Sequence, residues 1–296
     1  MLKFTSNIFF SILTILKIVV ISRFTNRKVW KKCINTNNDE CIILGNGPSL
    51  HGVLRNYAQI LKNMTLLTVN GFPLSDYYKK MKPKYHVIIA PELFMEDVRK
   101  SSKEKSRLLY KSICDNTDWK LVLFLPFLAR KDKRWSNLMQ INSNITICYF
   151  NTTPIEGLWF FNRMFFNFQL GLQRSNNVFT PSLMIAIWMK YTKLLLLGVD
   201  HSWLKEIHVN NKNEVLIAQK HFYNIDEIAK PMHKGGKGRR KLHEVLIKCV
   251  YAFRSYEIIA KYAKDQKVSI INLTEDSYID SFRRNNIERE LLKKSQ

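Results

Sequence analysis

The stretch that decides the fold is Cys41-Ile42-Ile43-Leu44-Gly45-Asn46-Gly47-Pro48-Ser49-Leu50. An apolar run ends abruptly in a glycine-bearing turn, and a proline follows where a helix can begin. A short, continuous apolar run is the pattern of a strand buried on both faces of a parallel sheet. Proline suits the first position of a helix, where its missing N–H costs nothing.

The same signature recurs outward along the chain. Leu66–Val69 ends at Asn70-Gly71, His86–Ala90 at Pro91, Leu121–Leu125 at Pro126, Ile145–Tyr149 before Asn151, and Leu194–Leu197 at Gly198; Ser269–Asn272 is the last. Helical stretches such as Ser182–Tyr191 and Lys241–Lys264 fit between these runs. Strands alternating with helices predict an α/β fold built on a doubly wound parallel sheet. Ligands of such sheets sit beyond the carboxyl ends of the strands, so the residues just after each strand are the candidates for function.

Composition agrees with a globular domain. Of 296 residues, 46% are hydrophobic and 24% charged, which excludes disorder and fibrous structure. Ten Gly and eight Pro are too few for a loop-dominated all-β chain. The five cysteines are odd in number and form no C-x-x-C pair, so neither a zinc site nor a disulfide framework is suggested. A reducing cytosolic setting follows. Against 24 Asp+Glu stand 47 Lys+Arg, a net charge of +23. That surplus points to polyanionic partners: an anionic membrane face, phosphate-bearing substrates or nucleic acid.

After the first strand, Gly45 and Gly47 permit a tight turn and close approach of a ligand to the backbone. Ser49 offers a hydroxyl, and the exposed N–H groups of a following helix make an anion site. The turn lacks both the third glycine of G-x-G-x-x-G and the G-K-[ST] of a P-loop. Its plain alternative is a turn that reverses the chain. Asn70, with Gly71, can reach a ribose or base edge or simply form a turn. Thr180-Pro181-Ser182 opens a helix, with Thr180 as its N-cap. In Gly198-Val199-Asp200-His201-Ser202, the Asp200 carboxylate can orient His201, contact a sugar hydroxyl or bind a metal. The stretch from Asp200 to Gly238 is rich in His, Asn and Lys and weakly periodic. It reads as an insertion over the strand ends at about residues 200–240, either a lid or a surface excursion.

Taken together, Gly45-Asn46-Gly47-Pro48-Ser49-Leu50, Asn70-Gly71, Thr180-Pro181-Ser182 and the run from Leu194 to Ser202 resemble the small bacterial CMP-sialic-acid-dependent sialyltransferases. The stretch from Gln219-Lys220-His221-Phe222-Tyr223 to Lys230-Pro231-Met232-His233 resembles the MptE-like (6-hydroxymethylpterin diphosphokinase-like) proteins of surface-polysaccharide biosynthesis. The resemblance spans roughly Cys41–Phe282. It implies a single Rossmann-like domain with a nucleotide-sugar site and no required cofactor or metal. It implies Asn46, Ser49 and Asn70 around the nucleotide, Thr180 and Ser182 near the donor phosphate or carboxylate, and Gly198 against the cytidine. A lid-side histidine would be the base. Pro181 departs from the family pattern, which has Ser there.

Transfer to an alcohol needs a base near the acceptor hydroxyl, and imidazole titrates in the useful range. Of the seven histidines, His51 and His86 lie near early strands and read as structural. His208 and His243 have no distinctive neighbours. His201, His221 and His233 remain, with His221 first because Phe222 and Tyr223 follow it as a stacking wall and a hydroxyl. His233 stands beside Lys234, in a glycine-rich basic stretch that suits a phosphate clamp or a solvated loop. The aromatic–basic interleaving of nucleic-acid modules is absent, so nucleic acid is not expected as a partner.

At the N-terminus, Ile8–Ile21 is apolar except for Ser11, Thr14 and Lys17, and basic residues flank it. It falls short of the about 20 apolar residues that span a bilayer. A helix here has a narrow polar stripe and a wide apolar face, suited to an anionic membrane interface. Its alternatives are a short spanning anchor, a helix packed on the domain, and a signal peptide. The expected organisation is thus a membrane-associating segment over 1–35 and a catalytic domain over 36–296. The expected activity is inverting transfer from a nucleotide-sugar donor, CMP-linked among the candidates, to a glycan or lipid-linked acceptor at the cytoplasmic face of the inner membrane. The rivals are an ATP- and Mg-dependent diphosphokinase and a non-catalytic binder of anionic ligands.

Overall fold

The computed structural model describes residues 2–25, 27–33, 39–95, 100–174, 177–218, 220–224, 228–233 and 238–291. Its centre is a sheet of eight strands: β1 (Glu40–Leu44), β2 (Leu66–Val69), β3 (Tyr85–Val87), β4 (Leu121–Pro126), β5 (Ile145–Phe150), β6 (Lys193–Leu197), β7 (Ser269–Asn272) and β8 (Arg283–Arg284). Their order across the sheet is β8-β7-β6-β1-β2-β3-β4-β5, and every neighbouring pair is parallel. The chain winds outward from β1 to β5, then returns to the other side of β1 for β6. The doubly wound α/β fold is therefore present, with its topological switch point between β1 and β6. Leu44 pairs with Leu197 on one side and Thr68 on the other, so the tips of β1, β6 and β2 end level.

Alternation along β1 and β6 builds a core on each face of the sheet. Ile43, Leu194 and Leu196 face the helix Phe179–Trp188, whose ten residues are all buried. Ile42, Leu44, Leu195 and Leu197 face the helix Leu50–Leu61 on the opposite side. With both faces covered, the strands must be apolar throughout.

Several boundaries differ from the sequence reading, each for a local reason. β3 stops at Val87, because Ile89 N–H turns to the side chain of Asn70 (3.2 Å) and Pro91 opens the helix Pro91–Phe94. The helix expected over Ser182–Tyr191 begins earlier, at Phe179. Asn177 Oδ1 accepts from Phe179 N–H (2.9 Å) and Thr180 N–H (3.0 Å), so Thr180 lies inside the helix and is not its N-cap. β8 carries two exposed arginines and has no apolar signature. The segment after β6 contains a small antiparallel sheet of His208–Val209, Val215–Ile217 and Lys230–Pro231. Its strands are too short to register as a pattern.

Residues before β1 form the helices Leu2–Ile21 and Arg27–Cys33. Trp30 on the second packs against Phe124 (5.4 Å) and Trp188 (6.0 Å), and Cys33 Sγ lies 2.9 Å from Cys148 Sγ. That helix therefore belongs to the core of the α/β domain. Among the described residues, no helix is long and apolar enough to cross a membrane.

His86 on β3 is fully buried. Its Nε2 donates to Asn70 O (3.0 Å), so its Nδ1 accepts from the Thr68 hydroxyl (2.8 Å). Burial lowers its pKa to about 3, outweighing these hydrogen bonds. The unfolded chain thus takes up a proton near pH 6.5 that the folded chain refuses until about pH 3. Stability is full above pH 6.5 and falls on acidification, by about 1.4 kcal/mol per pH unit for this group. Urea unfolding at pH 7 and pH 5 should show His86→Gln losing about 2 kcal/mol less than the parent over that interval. Parallel losses would remove His86 from the pH response.

Candidate functional site

The loops after β1 and β6 meet at the switch point. Gly45 N–H donates to Leu197 O (2.8 Å) and Gly47 N–H to Gly198 O (2.8 Å). A Cβ at Gly45 would overlap the Gly198 carbonyl oxygen, and one at Gly47 would overlap the Asp200 carboxylate. Gly198 has φ +67°, the left-handed region that glycine enters without strain. These glycines are required because two backbones touch.

Asp200 completes the contact. Its Oδ1 accepts from Ser49 N–H (3.0 Å) and its Oδ2 from the Ser49 hydroxyl (2.7 Å). Ser49 is the residue before the helix Leu50–Leu61, so the carboxylate sits where the helix dipole is positive. This corrects the expectation of a phosphate cradle. The amides of Gly45, Gly47, Ser49 and Leu50 are all used inside the protein, and the anion at the helix start is the chain's own. Pro48 precedes Ser49 and lies outside the helix. The carboxylate does not orient His201, one of the roles considered for it.

A third strand end, missed in the sequence, holds Asp200 from behind. Thr274 Oγ accepts from Val199 N–H (3.1 Å), Ser277 Oγ donates to Val199 O (2.7 Å), and Tyr278 N–H donates to Asp200 O (2.9 Å). The polar residues after β7 were the available signal, since they follow a strand as the others do.

On the β2 side, Asn46 Nδ2 donates to Val69 O (2.9 Å). Its Oδ1 is buried and has no hydrogen-bond partner among the described residues. Asn70 is in the left-handed region (φ 44°), a conformation asparagine tolerates. Its side-chain oxygen bonds Ile89 N–H (3.2 Å), which ties it to the β3 loop.

The segment between the second and third strands of the small sheet folds onto this point. Phe222 N–H donates to Asn46 O (3.0 Å), and the Phe222 ring is buried against Phe72 (5.5 Å) and Tyr77 (6.4 Å). Tyr223 lies against Gly71, where a Cβ would overlap its hydroxyl. His221 stacks on Tyr223, with centroids 5.2 Å apart and planes at 30°. Asn46, Gly71, Tyr223 and His221 therefore share one corner of the strand ends.

Other expected residues lie elsewhere. His201 Nε2 is 2.5 Å from Tyr256 Oη, among the rings of Phe179, Trp203 and Phe253. Burial lowers its pKa to about 4, so it is a neutral packing residue. Thr180 and Ser182 are fully buried; their hydroxyls bond Ser255 Oγ (2.7 Å) and Val178 O (2.8 Å) and are not donor ligands. His233 bridges to Arg239 ahead of the helix Leu242–Asp265, and Arg239 pairs with Glu214. Lys234 lies outside the described residues. A surface hollow of about 700 Å³ lies apart from the strand ends, between Pro73–Lys79 and the helix Lys100–Asn116.

No protein-family model matches the chain, and no curated protein matches it in sequence. Among solved structures it is similar to the MAf glycosyltransferase from Magnetospirillum magneticum AMB-1. The identity is 11% and the TM-score 0.43, over 88% of this chain and 37% of that one. A likeness that distant brings neither family nor activity to this chain.

Proposed function

We propose that the chain is a glycosyltransferase that moves a sugar from a nucleotide-sugar donor to a glycan hydroxyl with inversion. The observation that carries this reading is Asn46 Oδ1, a buried acceptor without a partner among the described residues, beside Gly71 and the His221–Tyr223 shelf at the ends of β1 and β2. A buried carbonyl oxygen of this kind calls for a donor, and a ribose hydroxyl or the amino group of cytosine is one that a nucleotide would bring. The resemblance of Gly45–Leu50 to the sialyltransferase turn supports a CMP-linked acidic sugar as the donor and a surface glycan as the acceptor.

The chemistry asked of the site is modest. His221 takes the acceptor O–H proton as the oxygen attacks the anomeric carbon. The bond from that carbon to the phosphate oxygen breaks, and the nucleotide leaves with the electron pair. Tyr223 donates a hydrogen bond to the leaving phosphate. Asp200 acts through Ser49, holding the loop that presents Asn46. In the diphosphokinase reading, a metal at Asp200 would have to displace both Ser49 hydrogen bonds.

Release of nucleotide from a panel of nucleotide sugars, with and without acceptor glycan, tests the proposal. His221→Ala should lower kcat roughly 100-fold or more while leaving donor binding near the parental value. Release from no donor, or metal-dependent formation of AMP from ATP, would count against it.

A further inference from the structure

The first helix is docked inside out. Ser11 Oγ accepts from Leu158 N–H (2.8 Å), and a Cβ at Gly157 would overlap Ser11. Thr14 Oγ donates to Glu156 O (2.8 Å) and accepts from Glu156 N–H (3.1 Å). Just past the helix, Ser22 Oγ donates to Leu170 O (2.6 Å). Asn7, Ser11, Thr14, Ile18 and Ser22 recur at helical spacing and form the inner stripe, of which Ile18 alone is apolar. A surface helix of a water-soluble domain ordinarily buries its apolar face and exposes its polar one. Here the polar stripe is bolted to the protein, and the apolar face is turned outward. Phe9 is 59% exposed, Leu16 58%, Val19 77%, Val20 81%, Ile21 59% and Phe24 86%.

We infer that this face is a fixed membrane-docking blade that inserts into the interface of an anionic bilayer. Three observations select lipid as the occupant. The apolar face is continuous along the helix, as an interfacial helix requires. Arg23, Lys28, Lys31 and Lys32 stand exposed at its end, and the chain has no acidic residue before Asp39. Each such cation adds attraction to anionic headgroups. Finally, the helix cannot cross a bilayer and is held to the domain by side-chain hydrogen bonds, so it lies on the membrane and fixes the orientation of the sheet.

Flotation of the full chain with vesicles tests this, using phosphatidylcholine alone and phosphatidylcholine mixed with phosphatidylglycerol. The protein should float with the mixed vesicles, and less so at high salt. A triple variant, Leu16→Ser with Val19→Ser and Val20→Ser, changes only exposed side chains and should melt like the parent while partitioning roughly tenfold less or weaker. Lys31→Gln with Lys32→Gln should remove part of the preference for anionic lipid and leave the apolar contribution. Equal flotation of the parent and the triple variant would overturn the inference. So would a stable dimer that ignores vesicles and that the triple variant dissolves, which would assign the face to a second copy of the chain.

Discussion

Alanine at Gly45 should cost more than about 3 kcal/mol of stability, or abolish folding, from the addition of one methyl group. The added Cβ would overlap the carbonyl oxygen of Gly198, a backbone atom with no flexible end that can move aside. Relief requires β1 and β6 to separate where Gly45 N–H reaches Leu197 O. Those two strands are interior to the eight-stranded sheet, and both cores run across them. Urea unfolding of G45A and of G52A separates this effect from helix propensity. Gly52 has open space at its Cβ position, so G52A should be neutral or stabilising by up to about 1 kcal/mol. A G45A protein as stable as the parent would mean that the two loops are not in contact.

The second large effect is expected at Asp200. Removing its carboxylate leaves the Ser49 amide and hydroxyl without their acceptor at the start of a helix. Charge-assisted hydrogen bonds of this kind contribute about 1.5–3 kcal/mol each, and the two share one anion, so Asp200→Ala should destabilise by about 2–4 kcal/mol. Asp200→Asn keeps one acceptor oxygen and should lose roughly half as much. Asp200→Ala also uncovers the helix N-terminus, which is then an anion site of the ordinary kind. Inorganic phosphate or sulfate should therefore raise the melting temperature of the alanine variant and not that of the parent. Equal responses would show that the carboxylate is not occupying that position.

How legible these features were depended on the range of the interaction. The seven longer strands of the sheet and the parallel arrangement followed from apolar runs that end in Gly, Pro or Asn, because a strand covered on both faces leaves no room for polar residues. β8 escaped because an edge pair of arginines resembles any charged turn. Gly45, Gly47 and Gly198 stood out as residues at which backbones approach something closely. What they approach is set by a contact between residues more than a hundred positions apart, and no local pattern encodes it. For the same reason Asp200 read as a ligand-binding carboxylate, although its partner is Ser49. Thr180 looked like a cap because Thr-Pro-Ser is a sound local signal, but Asn177 reaches the same amides first. Among the histidines, sequence context ranked His221 first because two aromatic residues follow it; of those two, Tyr223 stacks on its ring. The polar stripe of the first helix was visible at its spacing. Its direction was not, since helical periodicity does not say which face meets the protein.

The proposed activity requires the strand-end corner to be a nucleotide site in which Asn46 supplies an acceptor. Calorimetric titration with CMP, CDP, UMP, UDP and GDP, on the parent chain and on Asn46→Ala, measures that claim. At least one nucleotide should bind the parent, and its affinity should fall roughly tenfold or more in Asn46→Ala, the cost of one buried hydrogen bond to the ligand. No nucleotide binding, or binding that Asn46→Ala leaves unchanged, would contradict a nucleotide site at this corner.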